Sequence, residues 1–511
     1  MNEKYSKIKE LFDLAHQYHK KNNFLSAEKL YKEILELNAN DVATLNNLGN
    51  ALKELKKYKE AIFYYEKALK IKPQDIITNY NFGLLFYELG EFYKSSSFYE
   101  KIVKIDPKHI QSYNNLIDIY EKTNNHEKLK KVVVDVKIFL KNNPIIKLYE
   151  GILLYKNEKF TEAINSLESF LFDVNKIEEE RFRVLTLGKC YDTLGKCYDR
   201  TKNAEKAFDC FIKTNNISFQ QKSNNVNKNF FIEEIENRKK FFSKIEKGKW
   251  SHLGALDERP DPIFMIGFPR SGTTLLDTIL RSHPSIEDIE EKPIVLNLIN
   301  SLHELQNGDL EGLKKIRKNE IQKFRKVYFD SLESEIKNID NSKIYIDKFP
   351  LNIIYVGEIF RIFPKAKFII SLRHPCDCVL SCFMQTFRIN NAMANFLNLE
   401  DSAKLYDLVM KLWIQYTSIF PINYYEVRYE NLVENLETTV RPLLKFLELP
   451  WHDSVLEFYK TAKKGPQIKT PSYDQVIKPI YSEASGRWKM YKKQTTNIYP
   501  ILEPWIKKFN Y

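Results

Sequence analysis

Cysteine is scarce, at six in 511 residues. That is too few for a disulfide scaffold, and the six read as reduced thiols. Glycine (15) and proline (19) are also sparse, which excludes collagen-like and linker-dominated architectures. No run reaches the roughly 18–20 apolar residues that cross a bilayer. VVVDVKIFL at 132–140 is broken by Asp135 and Lys137, and IVLNLI at 294–299 is short. The opening residues MNEKYSKIKELFDLAHQYHKK mix acids and bases and lack an apolar h-region, so a soluble, cytoplasmic protein is expected. What the chain does have is globular: 43% hydrophobic, 29% charged and 14% aromatic residues. Its length suggests two to four domains at about 150 residues each. A net charge of +12 favours anionic partners.

The first half is written in 34-residue units. Leu48-Gly49, Ala61, Tyr65, Ala68 and Pro73 recur 34 residues on as Phe82-Gly83, Ser95, Tyr99, Ile102 and Pro107, and 34 back as Leu14-Ala15, Ala27, Tyr31 and Ile34. The frame continues through Leu116-Ile117, where it degenerates, to Gly151 and Ala163. Small residues let two helices approach, aromatics fill the gaps, and proline stops the second helix. The pattern resembles the tetratricopeptide repeat, which implies an α-solenoid over 1–214 with a concave face for a peptide or protein. Gly195, Ala207 and Phe211 restore the spacing after an excess partly explained by TLGKCYD, which occurs at 186–192 and again at 193–199. Seven residues are about two helical turns, so Cys190 and Cys197 are copies of one packing position. A linker and connecting helix are expected over 215–258.

The second half holds GFPRSGTT at 267–274, between an expected strand (262–267) and an expected helix (273–282). Such a turn offers backbone N–H groups and a helix N-terminus to one anion. Arg270 adds a cation; Ser271, Gly272, Thr273 and Thr274 add hydroxyls and close backbone. The spacing imitates a Walker A loop, yet Thr273 stands where that motif requires Lys. With its context, PRSGTT resembles the 5′-phosphosulfate loop of sulfotransferases, whose donor is 3′-phosphoadenylyl sulfate (PAPS).

A second landmark, KIYIDKFPLNIIYVGEIFRIFPKAKFIISLRHPCDCVLSCFMQTF at 343–387, reads as strands at 343–347 and 367–372 around a helix at 352–362. This βαβ unit implies parallel strands. Arg373 ends the second strand and Ser381 lies eight residues later, beyond the strand ends where open α/β sheets bind ligands. The wider pattern over 259–490 is similar to the bacterial tetratricopeptide-repeat sulfotransferases and more distantly to tyrosylprotein sulfotransferase. The resemblance implies a P-loop-like α/β sulfotransferase domain over 259–511 with a mainly parallel sheet, behind the α-solenoid.

Residue roles follow from the resemblance. Arg373 and Ser381 match the readers of the donor's 3′-phosphate. Lys348, placed just past a strand, matches the lysine that steadies the bridging oxygen; otherwise it is a loop lysine pairing with Asp347. Glu291 aligns with the catalytic base, with adjacent Glu290 and then His283 as alternatives. The run Glu287, Asp288, Glu290, Glu291 also reads as a solvated acidic face. Tyr429 matches a nucleotide contact, Ser485 a serine near the bridging oxygen, and Arg487 with Trp488 a cover over the nucleotide. Gln385 departs from the tyrosylprotein pattern, which carries a second phosphate-binding Arg there. Cys376, Cys378 and Cys382 lack a His partner at ligand spacing, and no metal is expected. Expected partners are PAPS or its product 3′,5′-adenosine bisphosphate (PAP), a peptide, protein or saccharide acceptor, and a protein on the repeats; neither nucleic acid nor a membrane span is expected. Competing readings are a nucleotide-dependent kinase and a repeat scaffold with a relic nucleotide domain.

Overall fold

The computed structural model describes residues 2–222, 226–248, 259–305, 308–336, 339–340, 342–464 and 485–511. The chain divides into two compact units, Met1–Thr186 and Leu187–Tyr511. Among the described residues no helix is long and apolar enough to cross a membrane.

The first unit is a series of antiparallel helix pairs: Asn2–Lys20 with Phe24–Leu37, Val42–Glu54 with Tyr58–Ile71, Ile76–Glu88 with Phe92–Ile105, Ile110–Lys122 with His126–Phe139, and Ile145–Lys156 with Phe160–Asp173. Asp41 and Asp75 cap two of the first helices by accepting from the N–H groups of Thr44 and Thr78. The small-residue slot has a steric cause. A Cβ on Gly49 would lie 2.7 Å from Tyr65, and one on Gly83 2.9 Å from Tyr99. In these two pairs the tyrosine of the second helix occupies the space the glycine leaves, and in the fifth pair Leu167 does so against Gly151. The fourth pair, with Ile117 in the slot, still buries that residue fully against its partner helix.

In the second unit, Cys190 and Cys197 are both fully buried, as a duplication of two turns on one face requires. Asn215 donates its Nδ2–H to the Phe383 carbonyl (2.9 Å), and Phe208 packs on the Phe383 ring. These ties place the helix Ala204–Gln221 with the α/β part, ahead of the expected segment boundary at 214. The helix Lys228–Phe242 is held more tightly. Arg238 pairs with Glu358 at 2.7 Å, both buried, and Tyr355 donates to Glu234 at 3.0 Å.

Five strands, β1 (Ile263–Gly267), β2 (Ile286–Glu290), β3 (Ile344–Lys348), β4 (Lys367–Leu372) and β5 (Asn423–Arg428), form one sheet in the order β2-β3-β1-β4-β5. Every pairing is parallel. β1 lies at the centre, and connections leave it to both sides, so its carboxyl end is the point where strand order reverses. Some expectations are corrected. The acidic run is not one continuous acidic face: Glu287 to Glu290 lie in the edge strand β2, where Ile286 and Ile289 are buried on opposite faces, and Glu291 follows it in a turn. Lys348 ends β3 rather than following it. The helix expected at 352–362 is a 3₁₀ turn, Pro350–Tyr355, followed by the helix Val356–Ile362. The loop helix is Thr273–Leu280, shorter than expected.

Candidate functional site

The loop after β1 turns through two positions closed to most side chains. Gly267 has φ +156°, and a Cβ there would stand 2.7 Å from the Ser371 carbonyl oxygen. Gly272 has φ +102°, and its Cβ would meet the Tyr429 ring at 2.6 Å. Between them Arg270 is itself left-handed (φ 68°). The loop is pinned to β4 and its following helix. Ser371 Oγ donates to the Ser271 carbonyl at 2.9 Å, and Cys378 and Cys382 direct their thiols to the Pro269 carbonyl at 3.3 and 3.2 Å. Burial pushes the Cys378 thiol up to about 12, so these are structural groups. Among the described residues no group of His, Cys, Asp and Glu could hold a metal ion.

Arg373 and Ser381 reach this loop. The Arg373 guanidinium donates to the Arg270 carbonyl at 3.0 Å, and Arg270 Nε donates to Ser381 Oγ at 3.1 Å. Tyr429, which opens the short helix after β5, lies under the Arg373 guanidinium at 4.7 Å. Loop, strand end and following helix thus gather two guanidiniums and several hydroxyls. Thr273 and Thr274 stand in the first turn of the loop helix. Ser271 Oγ is buried and has no hydrogen-bond partner among the described residues. An orphaned hydroxyl beside two cations fits a bound anion such as the phosphates of a nucleotide.

One strand over, Lys348 Nζ lies 3.1 Å from Glu291 and 3.6 Å from Glu290. Glu291 sits in a left-handed turn (φ 48°) after β2, and its N–H donates to the Lys348 carbonyl at 2.9 Å. Burial works against the Lys348 ammonium, but the charges of Glu291, Asp277 and Glu290 outweigh it and raise Lys348 above an ordinary lysine. Asp347 points to the opposite face of the strand, as alternation demands. It accepts from Tyr328 at 3.1 Å, so the expected alternative partner of Lys348 is engaged elsewhere. His283 is engaged at both ring nitrogens, with the Pro450 carbonyl at 3.0 Å and the Ser285 N–H at 3.1 Å.

Ser485, Arg487 and Trp488 form a separate turn. Ser485 is half-buried. Arg487 makes a two-pronged pair with Asp199, at 2.9 and 2.6 Å, rather than presenting a free guanidinium. Trp488 stacks on His374 at 4.9 Å between centroids. Gln385 turns to its neighbour's carbonyl, Thr386 O, at 3.3 Å. Sequence reasoning missed Asp377, which accepts from the backbone N–H groups of Gly486 and Trp488, each at 2.7 Å. The available signal was its spacing, four residues from both Arg373 and Ser381.

The sulfotransferase family profile matches residues 262–453, and tetratricopeptide-repeat profiles match 42–75 and 77–109. An uncharacterised protein of Aquifex aeolicus is 32% identical over 324 residues, covering 60% of this chain and 40% of that protein. Protein-tyrosine sulfotransferase 1 of Danio rerio is 28% identical over 44% of this chain and 65% of its own length. The matches therefore span less than two thirds of either relative. Among solved structures, the sulfotransferase domain of the Synechococcus PCC 7002 olefin synthase is 20% identical over 46% of this chain and 90% of that domain, with a TM-score of 0.31. The chain joins tetratricopeptide repeats to a sulfotransferase-family domain and is distantly similar to the protein-tyrosine sulfotransferases.

Proposed function

We propose that this protein transfers a sulfuryl group from PAPS to a hydroxyl or amine acceptor, a protein tyrosine or a saccharide, and that its repeats hold the acceptor or a partner protein. The observation that carries the reading is the chain of contacts Arg373–Arg270–Ser381 around the phosphate loop, with the Lys348–Glu291 pair on the next strand of the same sheet.

In this reading the loop N–H groups, Ser271, Thr273 and Thr274 hold the 5′-phosphosulfate, while Arg373 and Ser381 read the 3′-phosphate and Tyr429 lies against the nucleotide. The acceptor oxygen attacks sulfur in line. A new S–O bond forms, the bond from sulfur to the bridging phosphate oxygen breaks, and the electron pair stays on that oxygen as PAP leaves. Lys348 opposes the charge developing there. Glu291 takes the acceptor's proton. Ser485 donates toward the bridging oxygen, and Trp488, with Arg487 anchoring the same turn, borders the nucleotide. None of these steps calls for a divalent ion.

Incubating the protein and cell extract with ³⁴S-labelled PAPS, then searching for the labelled mass shift, tests the activity and identifies the acceptor class. A shift that appears with the wild type and disappears with Glu291→Gln supports the reading. PAPS left unconsumed by the wild type contradicts it.

A further inference from the structure

The helix Pro375–Phe383 begins two residues after Arg373 and carries Ser381. Its buried Asp377 lies midway, four residues from each. Both oxygens of Asp377 are committed to one turn: Oδ2 accepts from Gly486 N–H and Oδ1 from Trp488 N–H, each at 2.7 Å. His374, which caps the same helix by accepting from Cys376 N–H, stacks its ring nearly parallel to Trp488, at 15° between planes. Gly486 takes a left-handed φ of 72°, so the chain reverses at the residue next to Ser485.

We infer that Asp377 is a positioning residue for sulfuryl transfer: it bolts the Ser485–Trp488 turn to the helix that reads the donor's 3′-phosphate. This rests on the sulfotransferase reading above. The physical argument is one of rigid spacing. A carboxylate has acceptors on both oxygens and can satisfy two backbone donors at once; an amide has one acceptor and one donor. The helix then fixes the distance between the group that binds one end of the donor and the hydroxyl that meets the reacting end. A displacement of about 1 Å in such a group can cost about 10²-fold in rate. The charged anchors of the donor are Arg373 and the phosphate loop, whereas the hydrogen bonds of Asp377 go to the Ser485–Trp488 turn.

The test compares wild type, Asp377→Asn, Ser485→Ala and the double variant in the full chain. PAP release from PAPS gives turnover, calorimetry gives PAP affinity, and hydrogen exchange across 485–491 gives the state of the turn without reference to activity. Asp377→Asn should expose the Gly486 and Trp488 amides to faster exchange, lower turnover by about 10–10²-fold and leave PAP affinity within about threefold. The double variant should be no slower than Ser485→Ala, because Asp377 acts through that residue. Asp377→Glu keeps both acceptors and should recover part of the exchange protection. Unchanged exchange in Asp377→Asn overturns the inference even if the variant is otherwise damaged. Additive losses in the double variant overturn it too, as does a loss of PAP affinity matching that of Arg373→Ala. A harmless Ser485→Ala beside a slow Asp377→Asn also overturns it while sulfuryl transfer stands. If the wild type neither binds PAP nor consumes PAPS, the functional reading itself has failed.

Discussion

Lys348 Nζ lies 3.1 Å from Glu291 Oε1, with the lysine fully buried and the glutamate reaching solvent. The proposed leaving-group cation and the proposed base are thus partners before any substrate enters. In the proposed mechanism the Lys348 ammonium turns toward the charge developing on the bridging oxygen, which frees the Glu291 carboxylate to take the acceptor's proton.

Glu291→Gln retains the shape and cannot accept a proton, so kcat should fall by about 10²–10⁴ while PAP affinity barely moves. Lys348→Met should lower turnover by roughly two to three decades, as loss of an oxyanion donor does. Glu290→Gln, whose carboxylate is the more distant at 3.6 Å, should be mild. Steady-state kinetics alongside calorimetry checks all three. A severe Glu290→Gln and a harmless Glu291→Gln would reverse the two assignments.

Asp347 makes stability pH-dependent. Burial pushes its carboxyl up to about 7, above the unfolded value. The native state therefore holds a proton that the unfolded chain has already lost. This contribution is full below the ordinary Asp range and disappears as pH rises through about 7. Asp347→Asn imitates the protonated acid, so its melting temperature relative to wild type should rise between about pH 4 and pH 7 and level off above that. A pH-independent difference would contradict the assignment.

Much of this was legible in the chain. The phosphate loop announced itself because its needs are local: Gly267 and Gly272 occupy backbone positions that few side chains tolerate. The repeat slot was legible for the same reason, one glycine against one aromatic ring. What escaped depends on distant partners. β2 reads as an acidic run because its pairing with β3 comes from residues almost sixty positions on. The spacing of Asp377 from Arg373 and Ser381 is legible, but its partners are not, since the amides it holds are 109 and 111 residues away. The grouping of residues 187–221 with the α/β part was hidden likewise: the Asp199–Arg487 contact spans 288 residues.

We propose, on those contacts, that a chain starting at Glu180, which keeps the helix Glu180–Arg200 whole, retains PAP affinity. A chain starting at Glu236 cuts the helix Lys228–Phe242 and removes Glu234 from the buried network, so it should melt at a lower temperature. Within that network, Arg238→Met leaves Glu358 as a buried unpaired acid and should cost about 3–5 kcal/mol. Chemical denaturation measures it. A loss below about 1 kcal/mol, the level of an exposed pair, would contradict the network's importance.

The central claim is that Arg373 and Ser381 read a 3′-phosphate, and calorimetric titration with PAP, AMP and Mg-ATP tests it most directly. One charge-assisted contact is worth about 1.5–3 kcal/mol, roughly one to two decades in affinity. PAP should therefore bind the wild type at least about tenfold more tightly than AMP, and Arg373→Ala should remove most of that difference while AMP affinity changes little. Ser381→Ala should remove a smaller share, about 0.5–1.5 kcal/mol for a neutral donor. Equal affinity for PAP and AMP, or a preference for Mg-ATP, would contradict the account.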